Sequence, residues 1–438
     1  MAGFEGPRPS RRNFLAAACA ATAGSAAWAE PPDFKTLTQW FQASPKERQR
    51  EIEKCLARIR ELEPAIHAWV QVAPQKPTGN GKLAQIPFGA KDIVETKGLA
   101  TEYGSPIYKG RIGTEDAAII RDMRRQGAVL LGKTTTTSFA YRTPTPTRNP
   151  RGIDHTPGGS SSGSAAAVAA GMIPLAIGEQ TQGSVLRPAS YCGVTGFKPT
   201  YGLLSMEGVL PLAKSLDTLG FFTPTAADML AFWEAFGRLT GRAENFSLAA
   251  TVPVPDVEPA MKAAFQETIS RLEKAGVSIR SIDMVEMLAQ LADAANTVMF
   301  YEGARFHEQR YREYGARLAD LADLVQKGLN IPAAQYDQAR RLIAESRTRV
   351  EEIYKSTPVI LAPAATGPAP LGLSYTGDTR MNAPWTAMGT PAITIPMPVG
   401  SALPLGLQLT ADRGQDARVL RTAAHLEAIL AREPRSGG

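Results

Sequence analysis

Two short segments built almost wholly from serine, glycine and other small or polar residues constrain how this chain can fold. The first reads Gly158-Gly159-Ser160-Ser161-Ser162-Gly163-Ser164 and the second Gly178-Glu179-Gln180-Thr181-Gln182-Gly183-Ser184. Ser160 and Ser184 lie 24 residues apart. Residues 165–170 between them read as a helix and 173–177 as a strand, so helix, strand and turn return both serines to the same edge of a sheet. A third element, Gly89-Ala90-Lys91-Asp92, follows the strand-like residues 86–90 and delivers a lysine there.

The remaining chain keeps the alternation. Residues 33–63 are helical, with Phe34, Leu37, Trp40 and Phe41 on one stripe and Ile52, Leu56, Ile59 and Leu62 on another; Pro45 starts the second helix. Strands are expected at 68–72, 86–90, 128–131 and 173–177, then at 359–361, 392–396 and 406–409. Thr114 caps a helix running to Gly127, another helix begins near Ser184, and the last spans 415–431. Residues 140–163 are too rich in Thr, Pro, Asn, Gly and Ser to be other than loop. Strands separated by helices predict an α/β fold, a single large domain whose mixed, largely parallel sheet is covered by helices on both faces. Residues 259–353 are long, charged and helical. Strands resume after them, so they read as a helical insertion in the same domain. A hydrophobic content of 44% against 21% charged residues supplies enough apolar matter for one large core.

The N-terminus reads Ser10-Arg11-Arg12-Asn13-Phe14-Leu15, then a small-residue run over 16–27 ending in Ala27-Trp28-Ala29. A twin-arginine region, a weakly apolar stretch and an A-x-A cleavage site make residues 1–29 a signal peptide and 30–438 the mature domain, expected to be exported folded to a bacterial periplasm or secreted. From Glu30 onward 45 basic side chains face 41 acidic ones, with no basic run. That is no footprint for nucleic acid. No window of about 18 apolar residues predicts a membrane span. Outside the leader only Cys55 and Cys192 remain, and His67, His155, His307 and His425 are scattered, so neither a disulfide framework nor a metal site is expected.

On these residues the chain resembles the amidase signature family of serine hydrolases. The glycine and serine block followed by Ala165-Ala166-Ala167-Val168-Ala169-Ala170-Gly171 matches the family's signature run. Residues 187–200, beginning Arg187-Pro188-Ala189-Ser190, match its downstream blocks. So do Ser215-Leu216-Asp217-Thr218-Leu219-Gly220, residues 389–396 and Gly406-Leu407-Gln408-Leu409. The resemblance covers nearly all of the mature chain and implies a Ser-cisSer-Lys triad: Ser184 as nucleophile, Ser160 as bridge, Lys91 as base. A serine hydroxyl needs a neighbouring base to take its proton. A lysine can be that base only where burial has depressed its pKa, and the apolar stretch before Lys91 makes burial plausible.

Backbone N–H groups of Thr181, Gln182, Gly183 and Ser184 are the expected oxyanion hole. Here the chain departs from the common family form, Thr-Asp-Thr-Gly-Gly-Ser, and Gln182 in place of glycine narrows the backbone conformations open to a donor. Asp92, expected to point away from Lys91 and brace the loop, joins Ser161, Arg187, Ser215 and Asp217 as supporting residues. Cys192 reads as a small buried residue. Trp385, Met388 and parts of 283–353 are the expected pocket walls, which favours an apolar or aryl acyl group.

The implied activity is hydrolysis of the C–N bond of a small-molecule carboxamide, or of a related ester or carbamate, with no metal or organic cofactor and with a homodimer left open. Four rivals stand beside it. A Ser-His-Asp hydrolase would use Ser161, the centre of Gly159-Ser160-Ser161-Ser162-Gly163, yet that elbow must follow a strand and residues 151–157 contain Pro157 and no strand pattern. A penicillin-binding type of enzyme needs S-x-x-K, which does not occur. A catalytically modest binding relative, or a relative of the amidotransferase subunit that matures glutaminyl-tRNA, is disfavoured by the complete triad and by the leader respectively.

Overall fold

Short apolar runs bounded by turn residues become the strands of one sheet. A computed structural model describes residues 33–238, 247–398 and 403–432, and the leader falls outside them. The strands are β1 Trp69–Gln75, β2 Pro87–Lys91, β3 Val129–Thr134, β4 Ala176–Gln180, β5 Thr195–Lys198, β6 Thr218–Thr223, β7 Leu248–Thr251, β8 Ile279–Ile282, β9 Val359–Pro363, β10 Ala392–Pro396 and β11 Gly406–Ala411. They form an 11-stranded sheet in the order β1-β3-β2-β4-β6-β5-β10-β11-β9-β7-β8. Every residue of β2, β4, β5, β6, β9 and β11 is buried. Uninterrupted burial of this kind requires cover on both faces, and the helices supply it.

The sheet is mixed, with its parallel pairing confined to two blocks. β3-β2-β4 are parallel, as are β8-β7-β9; the strands between, and the outer β1, pair antiparallel. The expected predominance of parallel pairs is therefore corrected to these two blocks. Around β6 and from β5 to β9 neighbouring strands run in opposite directions, β6 lying between β4 and β5, which both pair with it antiparallel.

Most apolar runs fold as read, including β2, β10 and β11, with the helix Asp416–Leu430 at the C-terminus. Several details differ: the strand expected at 173–177 is β4, Ala176–Gln180, and β5 and β6 were not expected at all. The helix expected from Thr114 is Ala118–Arg125, which begins without a side-chain cap, and the one expected near Ser184 is Leu186–Cys192. Within 259–353, residues 279–282 are β8, running parallel to β7 after the helix Pro259–Lys274. Its sequence, Ile-Arg-Ser-Ile, is partly exposed at the sheet edge and carries too little apolar signal to stand out between two helices. The added helical layer is thus Val285–Tyr314, Asp320–Leu329 and Ala333–Ser356.

The parallel pairing of β2 with β4, Gly89 against Ala176 and Ala90 against Ile177, matters most for the site. It brings the C-terminal ends of both strands, Lys91 and Glu179-Gln180, to one edge.

Candidate active site

Four strand ends and loops converge at that edge. Lys91 closes β2 and is fully buried. The serine block follows as a tight loop into the helix Ser162–Ala169, and its small residues explain themselves by contact. Ser161 Oγ donates to the Glu179 carbonyl at 3.1 Å, Ser162 Oγ to the Gly158 carbonyl at 2.7 Å and Ser164 Oγ to the Ile177 carbonyl at 2.9 Å. A Cβ at Gly163 would stand 2.2 Å from the Ala68 carbonyl oxygen, and one at Gly178 would stand 2.7 Å from the Phe222 ring. No larger residue fits this stitched loop at either place.

Ser160 alone of these serines meets the lysine. The peptide bond Gly159-Ser160 is cis, and Lys91 Nζ lies 2.7 Å from Ser160 Oγ. The same nitrogen donates to the Glu179 carbonyl at 3.1 Å and to Glu179 Oε2 at 2.8 Å. Burial holds Lys91 below the ordinary lysine range, against the opposing pull of the Glu179 carboxylate and, further off, of Asp217.

Ser184 sits in the turn between β4 and the helix Leu186–Cys192 and lines a cavity of about 470 Å³. The turn is tied to the serine block where Ser161 N–H donates to the Ser184 carbonyl at 3.4 Å. The Gln180 side-chain oxygen takes the amides of Val185 and Leu186 at 2.8 and 3.1 Å. Among the described residues no protein group takes the N–H of Gln182, Gly183 or Ser184. These donors are free for a developing oxyanion. Gln182 needs no left-handed backbone; its side chain instead spans the cavity floor, donating to Asn296 Oδ1 at 2.8 Å and accepting from Thr379 Oγ1 at 3.1 Å.

The supporting residues divide. Asp92 braces the following loop as expected, accepting from the Glu102 and Gly104 amides, and burial raises its carboxyl to about 6. Asp217 joins the lysine cluster through Thr181, whose Oγ1 lies 2.7 Å from Asp217 Oδ1 and 3.1 Å from Glu179 Oε1. Burial first, then the Glu179 charge, pushes Asp217 well above the usual carboxylate range. Ser215 is tied to Glu302 of the helical layer. Arg187 donates from Nη2 to the Gly159 carbonyl at 2.6 Å, while its buried Nε and Nη1 have no protein partner among the described residues. Ser161 is buried and bonded to β4, and no strand precedes it in residues 142–160.

Trp385 and Met388 do not line the cavity. Both are fully buried in the helix Ala383–Met388, which supports the Ser184 turn from below, through Thr386 Oγ1 donating to the Gln182 carbonyl at 2.9 Å. The expected contribution from 283–353 is there, through Asn296, Met299 and Asp320, and the other walls include Tyr141, Arg142 and residues 374–379. The latter come from loops far apart in sequence that carry no motif, so no local signal marks them. Glu179 stands out in sequence as a departure from the family form, but only the strand pairing reveals that it faces the lysine and not the oxyanion turn.

The sequence matches the amidase family model over residues 50–420. The chain belongs to the amidase family. Within it the chain is 28% identical to one subunit of the glutamyl-tRNA(Gln) amidotransferase of Thermotoga maritima, covering 90% of this chain and 95% of that one. The crystal structure of the same Thermotoga maritima protein superimposes with a TM-score of 0.76 at 27% identity, covering 89% and 93%. That of an amidase does so with a TM-score of 0.79 at 25% identity, covering 90% and 98%. The family accounts for the single large α/β domain and its mixed sheet.

Among the described residues no helix is long and apolar enough to cross a membrane, and no three His, Cys, Asp or Glu side chains are grouped to hold a metal ion.

Proposed function

We propose that this chain is an amide hydrolase working through an acyl-enzyme on Ser184. The observation that carries the reading is the contact of 2.7 Å between Lys91 Nζ and Ser160 Oγ, out of water, beside the cavity that Ser184 lines. In the neutral state Lys91 takes the Ser160 proton as Ser160 takes that of Ser184, and Ser184 Oγ bonds to the substrate carbonyl carbon. The carbonyl oxygen gathers negative charge against the free amides of 182–184. Collapse breaks the C–N bond, and the proton on Lys91 returns through Ser160 to the departing amine. Water then attacks the ester by the same route.

The unclaimed N–H groups of Arg187 favour a substrate carrying a carbonyl or carboxylate oxygen near the scissile amide. The purely apolar acyl group suggested by Trp385 and Met388 loses its basis, since neither lines the cavity. The test is a panel of anilides, primary amides, peptide amides, fatty amides and carbamates on the purified protein beginning at Glu30. Hydrolysis of at least one class without any partner is expected, and background rates throughout with folded protein would refute the reading. A reading as an amidotransferase-subunit relative is favoured by the 28% identity to such a protein; it predicts turnover only after a partner is added.

Residues 1–29 we read as an export address, on Arg11, Arg12 and the Ala27-Trp28-Ala29 site. Replacing both arginines by lysine should retain the protein in the cytoplasm. Unchanged fractionation outside it would dismiss that assignment.

A further inference from the structure

A buried lysine that is to act as a base has to be held in one orientation and be able to lose its charge. Here the position before Gln180, threonine in the common family form, is Glu179, and it supplies two oxygens to the same nitrogen. Lys91 Nζ has three places for hydrogens or a lone pair, and its contacts number the same: Ser160 Oγ, the Glu179 carbonyl and Glu179 Oε2. As an ammonium it donates to all of them. As an amine it keeps its two N–H groups on Glu179, because a carbonyl and a carboxylate oxygen only accept, and the lone pair is left facing the Ser160 hydroxyl.

We infer that Glu179 is a positioning residue for Lys91: it aims the amine lone pair at Ser160 and, by its charge, sets the pH at which the base becomes available. The inference rests on the assignment of Lys91 as base. The charged groups that face the amine are Glu179 of β4 and Asp217, from the turn before β6. They are linked through the Thr181 hydroxyl. The Thr181 hydroxyl, with one hydrogen to give, lies within reach of both carboxylates, and Asp217 also accepts from the amides of Leu212 and Ala213. Lys91 is the donor to Glu179 Oε2. Burial drives Lys91 toward the amine and Glu179 opposes it ahead of Asp217. Loss of the Glu179 charge therefore frees the base at lower pH, and loss of its second oxygen lets the amine turn away from Ser160.

The test is the pH profile of kcat/KM for the wild type and for Glu179→Gln on the best amide of the panel. The acid limb of the variant should move down by at least one pH unit. Below the wild-type limb it then keeps about a tenfold larger fraction of its own plateau than the wild type does, while the plateau itself falls. Glu179→Thr, uncharged and short, should show the same displacement and replaces the first variant if glutamine prevents folding. An unmoved limb in a folded, active variant overturns the role of Glu179 while leaving Lys91 as base. An acid limb absent from the wild type itself would instead count against Lys91.

Discussion

Ser184→Ala is expected to lower amide turnover by about 10³- to 10⁶-fold, because a catalytic unit deprived of its nucleophile keeps only what binding and the oxyanion donors provide. The fold should hardly notice. Ser184 accounts for one hydroxyl on a cavity wall, and its carbonyl, not its side chain, holds Ser161. A melting temperature within a degree or so of the wild type, beside near-complete loss of kcat, separates chemistry from stability. Retention of more than a tenth of the wild-type kcat would require another nucleophile.

Lys91→Met should fail in both respects. Activity falls by orders of magnitude for want of a base, and Glu179, 1% exposed, is left without its cation in a dry site that also holds Asp217. Removing one partner of a buried pair costs about 3–5 kcal/mol, which for a chain of this size lowers the melting temperature by on the order of 5 °C. The double variant Lys91→Met with Glu179→Gln removes the stranded charge and should recover most of the melting temperature without recovering turnover. Calorimetry and kcat on the three proteins check this. A Lys91→Met protein as stable as the wild type at neutral pH would mean that the lysine and carboxylate do not depend on one another.

How far the sequence could be read follows from where each signal lies. Strands such as β2, β10 and β11 are apolar runs closed by proline, glycine or charged residues, and their position is a local property. β5 and β6 are hidden in Thr195-Gly196-Phe197-Lys198 and Thr218-Leu219-Gly220-Phe221, where glycine breaks the apolar run. Their antiparallel pairing, which limits parallel order to two blocks, depends on partners outside either segment. Lys91, Ser160 and Ser184 each close or open a short pattern that stands out alone; Lys91 meets Ser160 directly, and Ser184 lies in the neighbouring turn, joined to the serine block through its carbonyl. Glu179 needed three dimensions. The pairing of β4 with β2 brings its carboxylate to Lys91, 88 residues away in the chain, and nothing near it in sequence announces a lysine partner. Of the cavity walls only the share of 283–353, with Asn296, Met299 and Asp320, was within reach. Tyr141 and Tyr375 come from separate loops, whereas the conspicuous Trp385 and Met388 lie in the core.

The central claim is that Ser184 is the activated nucleophile of this site, and covalent labelling reads it most directly. A fluorophosphonate probe incubated with the wild-type protein, followed by peptide mapping by mass spectrometry, should give a single adduct on Ser184, absent from Ser184→Ala and strongly slowed in Lys91→Met. An adduct on Ser160 or Ser161 in the wild type, or equal labelling of the Ser184→Ala protein, would contradict it.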